Sequence, residues 1–270
     1  MISVGFLAER NPFTELIADY LTEFTELKGV IWIDPQRRTL RKRLRRFHGR
    51  IERVGLRHAV SEAIWYLVAS IIYFPDRSAF GALLSNLRRQ WRLLHHGWYS
   101  ICVDTLNDSE VQQFLRKERP SMLLAQCINE KIPESVYTAP RLGCYVLHEG
   151  IVPRYRGKFC THWAIRESAF DQIGFSLIRV NGKIDGGPVA FTCRVFPDAR
   201  GHGHGWLMHQ VVLLALPHLK AFIIECEKGL PAMTTQETSY PLYSYPTVDH
   251  FFGLRRCKLA YERWRSFQGS

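Results

Sequence analysis

The chain has 270 residues and a net charge of +11, and 46% of its residues are hydrophobic. These values are typical of a globular protein with one large domain or two small ones. Its seven cysteines include no Cys-x-x-Cys pair, which argues against a disulfide framework or a structural zinc site. The first residues lack a signal-peptide pattern, and the longest apolar run, residues 63–74, is about half as long as a membrane-spanning helix. We therefore expect a cytoplasmic protein.

The first 35 residues predict the opening of a parallel sheet. Residues 2–7 form a short apolar run that is typical of a buried strand. Asn11 and Pro12 can begin a helix that extends to about Leu27, and residues 30–33 form a second apolar strand. Strand, helix and strand in this order favour a parallel α/β sheet. The Gly-x-Gly-x-x-Gly pattern of dinucleotide-binding proteins is absent after the first strand.

Residues 36–97 predict a helical insertion. Apolar residues at helical spacing form one face of its first helix: Leu40, Leu44, Phe47, Ile51 and Val54. Most of the remaining positions are basic, namely Arg37, Arg38, Arg41, Lys42, Arg43, Arg45, Arg46, Arg50, Arg53 and Arg57. Further helices are predicted at 63–74 and about 80–94. The charge favours an anionic partner, which could be nucleic acid, a phosphorylated substrate or an acidic membrane surface. The alternative is a helix that packs by its apolar face and exposes its arginines to water.

The next segment returns to the sheet. The pattern predicts a helix at 110–119 capped by Ser109, strands at 122–127 and 141–147, and a hairpin of strands at 175–180 and 189–193. In open α/β sheets, ligands bind outside the carboxyl ends of the strands. His148 and Gln126 both lie at such ends, so we expect them near a binding site.

The last third predicts a helix at 206–216, a strand or helix end at 221–225 and a final helix at 255–267. The Tyr- and Pro-rich residues 239–252 predict a loop laid over the core or over the mouth of the site. His202, His204 and His209 could suggest a metal, but Gly-His-Gly-His-Gly is a flexible spacing with no partnered carboxylate. We therefore expect no metal site.

One stretch of the sequence carries a set of motifs. They are His148, the loop Pro153-Arg154-Tyr155-Arg156-Gly157, the pair Trp163-Ala164 and the turn Asp185-Gly186-Gly187-Pro188. This set resembles the catalytic core of the folate-dependent formyltransferases, which include methionyl-tRNA, glycinamide-ribonucleotide and sugar N-formyltransferases. The resemblance implies an α/β fold with an open, mostly parallel sheet, flanking helices and the helical insertion. It implies a catalytic domain at 1–205 and a C-terminal extension at 206–270 packed on it.

The resemblance also implies site residues and a cofactor, 10-formyltetrahydrofolate. His148 would stabilise the tetrahedral intermediate or move a proton, and Asp185 would accept the proton and orient His148. The alternative is a structural histidine and an ordinary turn residue. Backbone groups at six positions would hold the pterin: Gln126, Cys127, Ile128, Gly182, Lys183 and Ile184. Four residues are predicted to contact the substrate: Glu149, Arg154, Tyr155 and Arg156. Glu149 could be an extra acid/base group or an ordinary solvated side chain, and the other three could instead stabilise the loop.

The sequence departs from the family at Val146, where the relatives carry an Asn two residues before the His. That Asn donates a hydrogen bond to the tetrahedral intermediate, and Val has no donor. Gln126, Asn129 or Asn181 could replace it. We expect a formyltransferase that acts on an amine of a small molecule, sugar or peptide-like acceptor. The alternatives are altered chemistry, such as formylfolate hydrolysis, and a non-catalytic protein that binds an anionic partner through residues 37–57. Nucleic acid is less favoured as a substrate because the chain leaves no room for the C-terminal barrel of tRNA formyltransferases.

Overall fold

The computed structural model describes residues 1–34, 44, 47–52, 55–57, 59–64, 74–93, 97–198, 204–237, 239–246 and 254–268. Its strands are β1 (Ser3–Glu9), β2 (Glu26–Ile33), β3 (Ser100–Val103), β4 (Met122–Gln126), β5 (Cys144–His148), β6 (Arg156–Gly157), β7 (Gly174–Arg179), β8 (Val189–Arg194) and β9 (Leu242–Tyr243). Its helices are α1 (Pro12–Thr22), α2 (Phe74–Gln90), α3 (Ser109–Glu118), α4 (Glu134–Tyr137), α5 (Cys160–Arg166), α6 (His204–Glu225) and α7 (Leu254–Gln268). Residues 47–52 and 59–64 are also helical.

Seven of the described strands form one sheet in the order β3-β2-β1-β4-β5-β7-β8. The first five in that order run parallel, and the β7–β8 hairpin joins antiparallel to β5. The predicted fold class, an open and mostly parallel sheet with flanking helices, is confirmed. All five residues of β4 are buried, as expected for a parallel strand that is covered on both faces.

Each face of the sheet carries its own core. One face packs Phe6, Trp32 and Tyr145 against α1 and α6, and the other packs Leu7 and Leu123 against α3. Successive strand residues point to opposite faces, so each central strand contributes to both cores. The carboxyl ends of β1, β4 and β5 meet at one edge of the sheet, because the three strands are parallel neighbours. That edge holds the candidate site.

Several element ends differ from the sequence prediction. Helix α1 ends at Thr22, five residues before the predicted end, since Thr25 bonds back to the Leu21 carbonyl at 2.7 Å and the chain enters β2 at Glu26. The cap of α3 is Asp108 rather than Ser109. The carboxylate of Asp108 accepts bonds from the backbone of the preceding turn instead of from the helix, at 2.8 and 3.2 Å.

The insertion is attached to α1 through a buried carboxylate. Asp19 is fully buried, accepts a bond from Arg88 of α2, and accepts another from the Trp98 indole nitrogen at 3.1 Å. Helix α2 begins at Phe74, six residues before the predicted start. Most of the helix predicted at 63–74 lies outside the described residues.

Helix α6 is twice as long as predicted, because it continues through Pro217 to Glu225. A strand at 221–225 is therefore wrong, and the helix-end alternative is confirmed. Residues Leu207–Glu225 are long and apolar enough to cross a membrane. Half of that stretch is buried within the protein, where Leu207, Val211 and Leu219 pack into the core. In this fold α6 is a core helix.

Candidate active site

His148 is the last residue of β5, and its side chain is 5% exposed. Its Nε2 lies 2.8 Å from the backbone carbonyl of Tyr155. Its Nδ1 lies 3.7 Å from Oδ2 of Asp185. The two residues that the motif predicted as a pair therefore meet, although 37 positions separate them.

The carbonyl of Tyr155 fixes how the imidazole is protonated. A carbonyl oxygen only accepts hydrogen bonds, so Nε2 of His148 carries the proton and donates it to Tyr155. Nδ1 is then the nitrogen that faces Asp185. The 3.7 Å separation is an ion-pair distance rather than a hydrogen bond. A second proton on Nδ1 would make an imidazolium held between a carbonyl and a carboxylate.

Asp185 is fixed by the loop in front of it and by its own turn. Its Oδ2 accepts a bond from the backbone N–H of Gly157 at 2.9 Å. The side-chain nitrogen of Gln236 donates to the backbone carbonyls of Asp185 and Gly187, at 3.0 and 2.7 Å. Asn181 accepts a bond from the Lys183 N–H at 3.1 Å inside the turn. The carboxylate thus lies between loop and histidine in a defined orientation.

The three loop residues predicted to face substrate make contacts within the protein. Arg156 is 4% exposed and donates to the Ile184 carbonyl at 2.7 Å. The hydroxyl of the buried Tyr155 donates to Glu167 at 2.9 Å. Arg154 also reaches Glu167, at 3.5 Å, and keeps half of its side chain exposed. These contacts match the loop-stabilising alternative, and Arg154 is the member of the three that remains open to a substrate.

Glu149 caps the start of α5. Its carboxylate accepts bonds from the backbone nitrogens of Cys160 and Thr161, at 2.8 and 2.9 Å, and from the Thr161 hydroxyl at 2.5 Å. The residue at the cap position, Phe159, has no side-chain acceptor, so Glu149 satisfies the free N–H groups of the helix from 11 residues away. Burial raises the pKa of the Glu149 carboxyl, and these hydrogen bonds oppose the rise. An ordinary solvated side chain, one alternative from the sequence, is therefore wrong.

Cys160 lies beside His148, a contact that the sequence did not indicate. Its sulfur is 3.6 Å from Nε2 of His148. Burial raises the pKa of the Cys160 thiol well above its usual value, so the thiol stays protonated at neutral pH. Because the Nε2 proton is already directed at a carbonyl, Cys160 packs against the ring rather than acting as a nucleophile.

Residues 98–200, which include every motif of the site, match the family model described as formyl transferase. The predicted resemblance to the folate-dependent formyltransferases is confirmed. The methionyl-tRNA formyltransferase of Pseudomonas fluorescens is 28% identical over 66% of this chain and 56% of its own length. That of Thermotoga maritima is 28% identical over 35% of this chain and 30% of its own length. The chain thus spans between about a third and just over half of these two relatives.

Solved formyltransferase structures share the fold at low sequence identity. A sugar N-formyltransferase from a Shewanella species superposes with a TM-score of 0.54 at 12% identity, covering 95% of this chain and 88% of its own. HypX from Aquifex aeolicus, solved with tetrahydrofolic acid, gives a TM-score of 0.53 at 15% identity, covering 92% of this chain and 30% of its own. These likenesses support the fold.

Three of the predicted pterin positions, Gln126, Cys127 and Ile128, lie at the carboxyl end of β4, and the other three, Gly182, Lys183 and Ile184, lie in the turn that carries Asp185. Gln126 ends β4 and is buried, and its side-chain oxygen has no hydrogen-bond partner among the residues that the structure describes. An unpaired buried acceptor is costly, so a ligand N–H at this place would be favourable. Burial raises the pKa of the neighbouring Cys127 thiol to about 12. Ile128 and Gly182 are half-buried, whereas Lys183 and Ile184 are exposed. The Gln126 oxygen would suit an N–H group at the edge of a pterin.

The two asparagines that could replace the missing family Asn both make contacts within the protein. Val146 is half-buried in β5. Asn129 donates to Glu9 at 2.9 Å and accepts from the Tyr245 hydroxyl at 2.8 Å, and Asn181 holds the Asp185 turn. Two of the three candidate amide nitrogens make long contacts: that of Gln126 lies 3.4 Å from the Cys127 sulfur, and that of Asn181 lies 3.4 Å from the Gly186 carbonyl.

Residues 239–246 form a strap across the loop of residues 153–157. Its strand β9 pairs with β6 of the loop. The Tyr243 hydroxyl donates to Glu167 at 2.7 Å, and the Ser244 carbonyl accepts from the Trp163 indole at 3.0 Å. Lys158 donates to the Tyr245 hydroxyl at 2.7 Å. The described part of the predicted Tyr- and Pro-rich loop therefore lies over the motifs, and residues 247–252 lie outside the described residues.

The histidines that could suggest a metal make other contacts or are not described. Among the residues that the structure describes, no group of three His, Cys, Asp or Glu side chains could hold a metal ion. His209 packs its ring against Phe13, with centroids 4.4 Å apart. His202 lies outside the described residues.

Proposed function

We propose that this chain is an enzyme that transfers the formyl group of 10-formyltetrahydrofolate to an amine of a small molecule, a sugar or a peptide-like acceptor. The observation that carries this proposal is the placement of Asp185. Its Oδ2 accepts the Gly157 N–H at 2.9 Å and faces the His148 ring at 3.7 Å, within the segment that matches the formyltransferases. A carboxylate and an imidazole so arranged can serve a reaction that removes a proton and develops an oxyanion.

Each site residue has a defined task in this proposal. Asp185 accepts the proton of the attacking amine, directly or through water, because its free lone pairs are oriented by the Gly157 bond. His148, held beside that carboxylate, stabilises the tetrahedral intermediate or moves a proton. Gln126 and the backbone at 127–128 and 182–184 hold the pterin. The bound folate supplies a formyl group on nitrogen, which is activated for transfer.

The test is formylation of a panel of amino sugars, amino acids and short peptides, with formylated product followed by mass spectrometry. We expect His148→Ala and Asp185→Asn each to lower the rate about 10²–10⁴-fold. Matched controls are His218→Ala and Asp171→Asn, two exposed residues away from the motifs, which should retain the rate of the unaltered protein. Full activity in His148→Ala would contradict the proposal.

Formylfolate hydrolysis is the second candidate, and Val146 is the observation that favours it. The position lacks the donor that would hold the oxyanion of an amine adduct. Free formate without any formylated amine in the same assay would support hydrolysis. Restoring the donor in Val146→Asn should raise amine formylation about 10²–10³-fold if the site is a slow transferase. No change in product or rate would show that another group already supplies the donor.

A further inference from the structure

Five large apolar side chains of the helical insertion are exposed, with 40% to 60% of each residue open to solvent: Leu44, Phe47, Leu56, Val60 and Ile64. We call these residues the insertion surface. Three of them, Leu56, Val60 and Ile64, recur every four residues and so share one helix face. Single exposed apolar residues are common, but a run of them on one helix marks an interaction site.

The opposite face of the same helix is anchored to the protein. Ala59 is 2% exposed and Glu62 is 5% exposed. Glu62 accepts bonds from Arg50 at 2.5 and 2.8 Å and from the Ser244 hydroxyl at 3.0 Å. The insertion is thus held against the strap, next to the mouth of the site. Its outer apolar face is fixed in position.

The sequence that contains the insertion surface is strongly basic. The sequence 36–64 contains ten Arg or Lys and two Glu, and one of those two, Glu62, is buried and paired. Exposed Arg57 directly follows Leu56. The sequence then continues into residues 63–74, which include no charged side chain. Basic residues interleaved with exposed leucine, phenylalanine and valine are the composition of a helix that lies in a lipid interface.

We propose that the insertion surface docks on an anionic membrane. The apolar side chains would enter the boundary between headgroups and acyl chains, and the arginines would contact lipid phosphates. A nucleic acid would satisfy the arginines but leave the apolar side chains in water. A second copy of the chain would cover the apolar side chains but bring two strongly basic segments together. An anionic lipid surface satisfies both features.

The test is co-sedimentation with vesicles of phosphatidylcholine alone and of an equal mixture of phosphatidylcholine and phosphatidylglycerol. We expect binding to the anionic vesicles and little to the neutral ones. Binding should weaken from 0.1 M to 1 M salt, because the screening length falls from about 10 Å to about 3 Å. Equal binding to both vesicle types, or binding to neither, would overturn the proposal.

Two variants locate the binding on the insertion surface. Replacing Val60 and Ile64 together by Ser should weaken binding about tenfold by removing apolar contact. Arg57→Gln should weaken it about fivefold. The matched control is Leu259→Ser, an exposed leucine of α7, which should bind like the unaltered protein. Circular dichroism establishes that each variant is folded. Unchanged binding by the folded Val60 and Ile64 double variant contradicts the proposal, as does pelleting without lipid that this variant abolishes, which would indicate self-association.

Discussion

The candidate active site and the insertion surface lie on either side of the strap. They differ in how their side chains are held: by close contacts in the site, and with partial exposure to solvent on the insertion surface. In the site, His148, Asp185 and Glu149 are each fixed by backbone groups of neighbouring loops. On the insertion surface, Val60 and Ile64 keep 40% and 45% of their surface open to solvent. The site is specified by close contacts between distant segments. The insertion surface is specified by composition and helical spacing, which tolerate substitution.

Replacing one glycine in each region by alanine should give the largest difference in stability between the two regions. A Cβ at Gly187, in the Asp185 turn, would lie 1.8 Å from the Arg179 carbonyl oxygen, and a Cβ at Gly49, in the insertion, meets nothing within 4 Å. We expect Gly187→Ala to lower the free energy of unfolding by more than about 3 kcal/mol. Gly49→Ala should raise it by about 0.5–1 kcal/mol, because alanine favours a helix.

Urea unfolding of the two alanine variants measures this difference directly. Gly187→Ala is also expected to lose the hydrogen bonds that Gln236 donates to the turn, since the turn must move to admit a methyl group. Equal stabilities for the two variants would break the comparison, because the turn would then be as tolerant as the insertion helix.

The next largest loss of stability is expected where the insertion contacts α1. Asp19→Ala leaves Arg88 and the Trp98 indole without their common acceptor. Loss of one partner of a buried pair costs about 3–5 kcal/mol, and the partial exposure of Arg88 reduces this to about 2–3 kcal/mol. The control is Glu15→Ala, which breaks the exposed Arg10–Glu15 pair and should cost less than about 1 kcal/mol. A loss as small as that of the control would show that α2 is held by apolar packing alone.

The sequence predicts the sheet for physical reasons, and the resemblance to the formyltransferases implies the pairing of His148 with Asp185. Apolar runs identify buried parallel strands, and their carboxyl ends share one edge. The Asp-Gly-Gly-Pro turn places a carboxylate between two strands of a hairpin, as the structure has it. Local sequence patterns are thus sufficient to predict the Rossmann-like order of elements and to identify the formyltransferase motifs.

Contacts between distant segments could not be predicted in this way. Glu149 caps α5, and Cys160 lies against His148, because a loop returns after 11 or 12 residues with a specific backbone path. Tyr243 reaches Glu167 from 76 residues away. No periodicity or turn signal encodes such pairings. The end of α1 was also missed, because a Thr25 side chain competes with the helix for the Leu21 carbonyl.

Glu149 provides the smallest and most specific test of the buried site. Burial raises its folded-state pKa above that of the unfolded chain, near 4.3. The native state therefore holds the proton more tightly. The stability that this adds is fully present below the unfolded pKa and is lost as pH rises through the folded pKa. Relative to Glu149→Gln, the unaltered protein should be more stable near pH 4 than near pH 7, by about 1.4 kcal/mol per unit of pKa difference.

Thr161→Val tests the hydrogen bond that lowers the pKa of the same carboxyl. The Thr161 hydroxyl donates to the Glu149 carboxylate at 2.5 Å and so lowers the pKa of that carboxyl. Its removal should raise the pKa further and extend the loss of stability to higher pH. Urea unfolding of the three proteins across this range measures both effects. If the difference between the unaltered protein and Glu149→Gln did not vary with pH, Glu149 would be solvated like the exposed residues of the insertion, and the contrast between the two regions would fail at this residue.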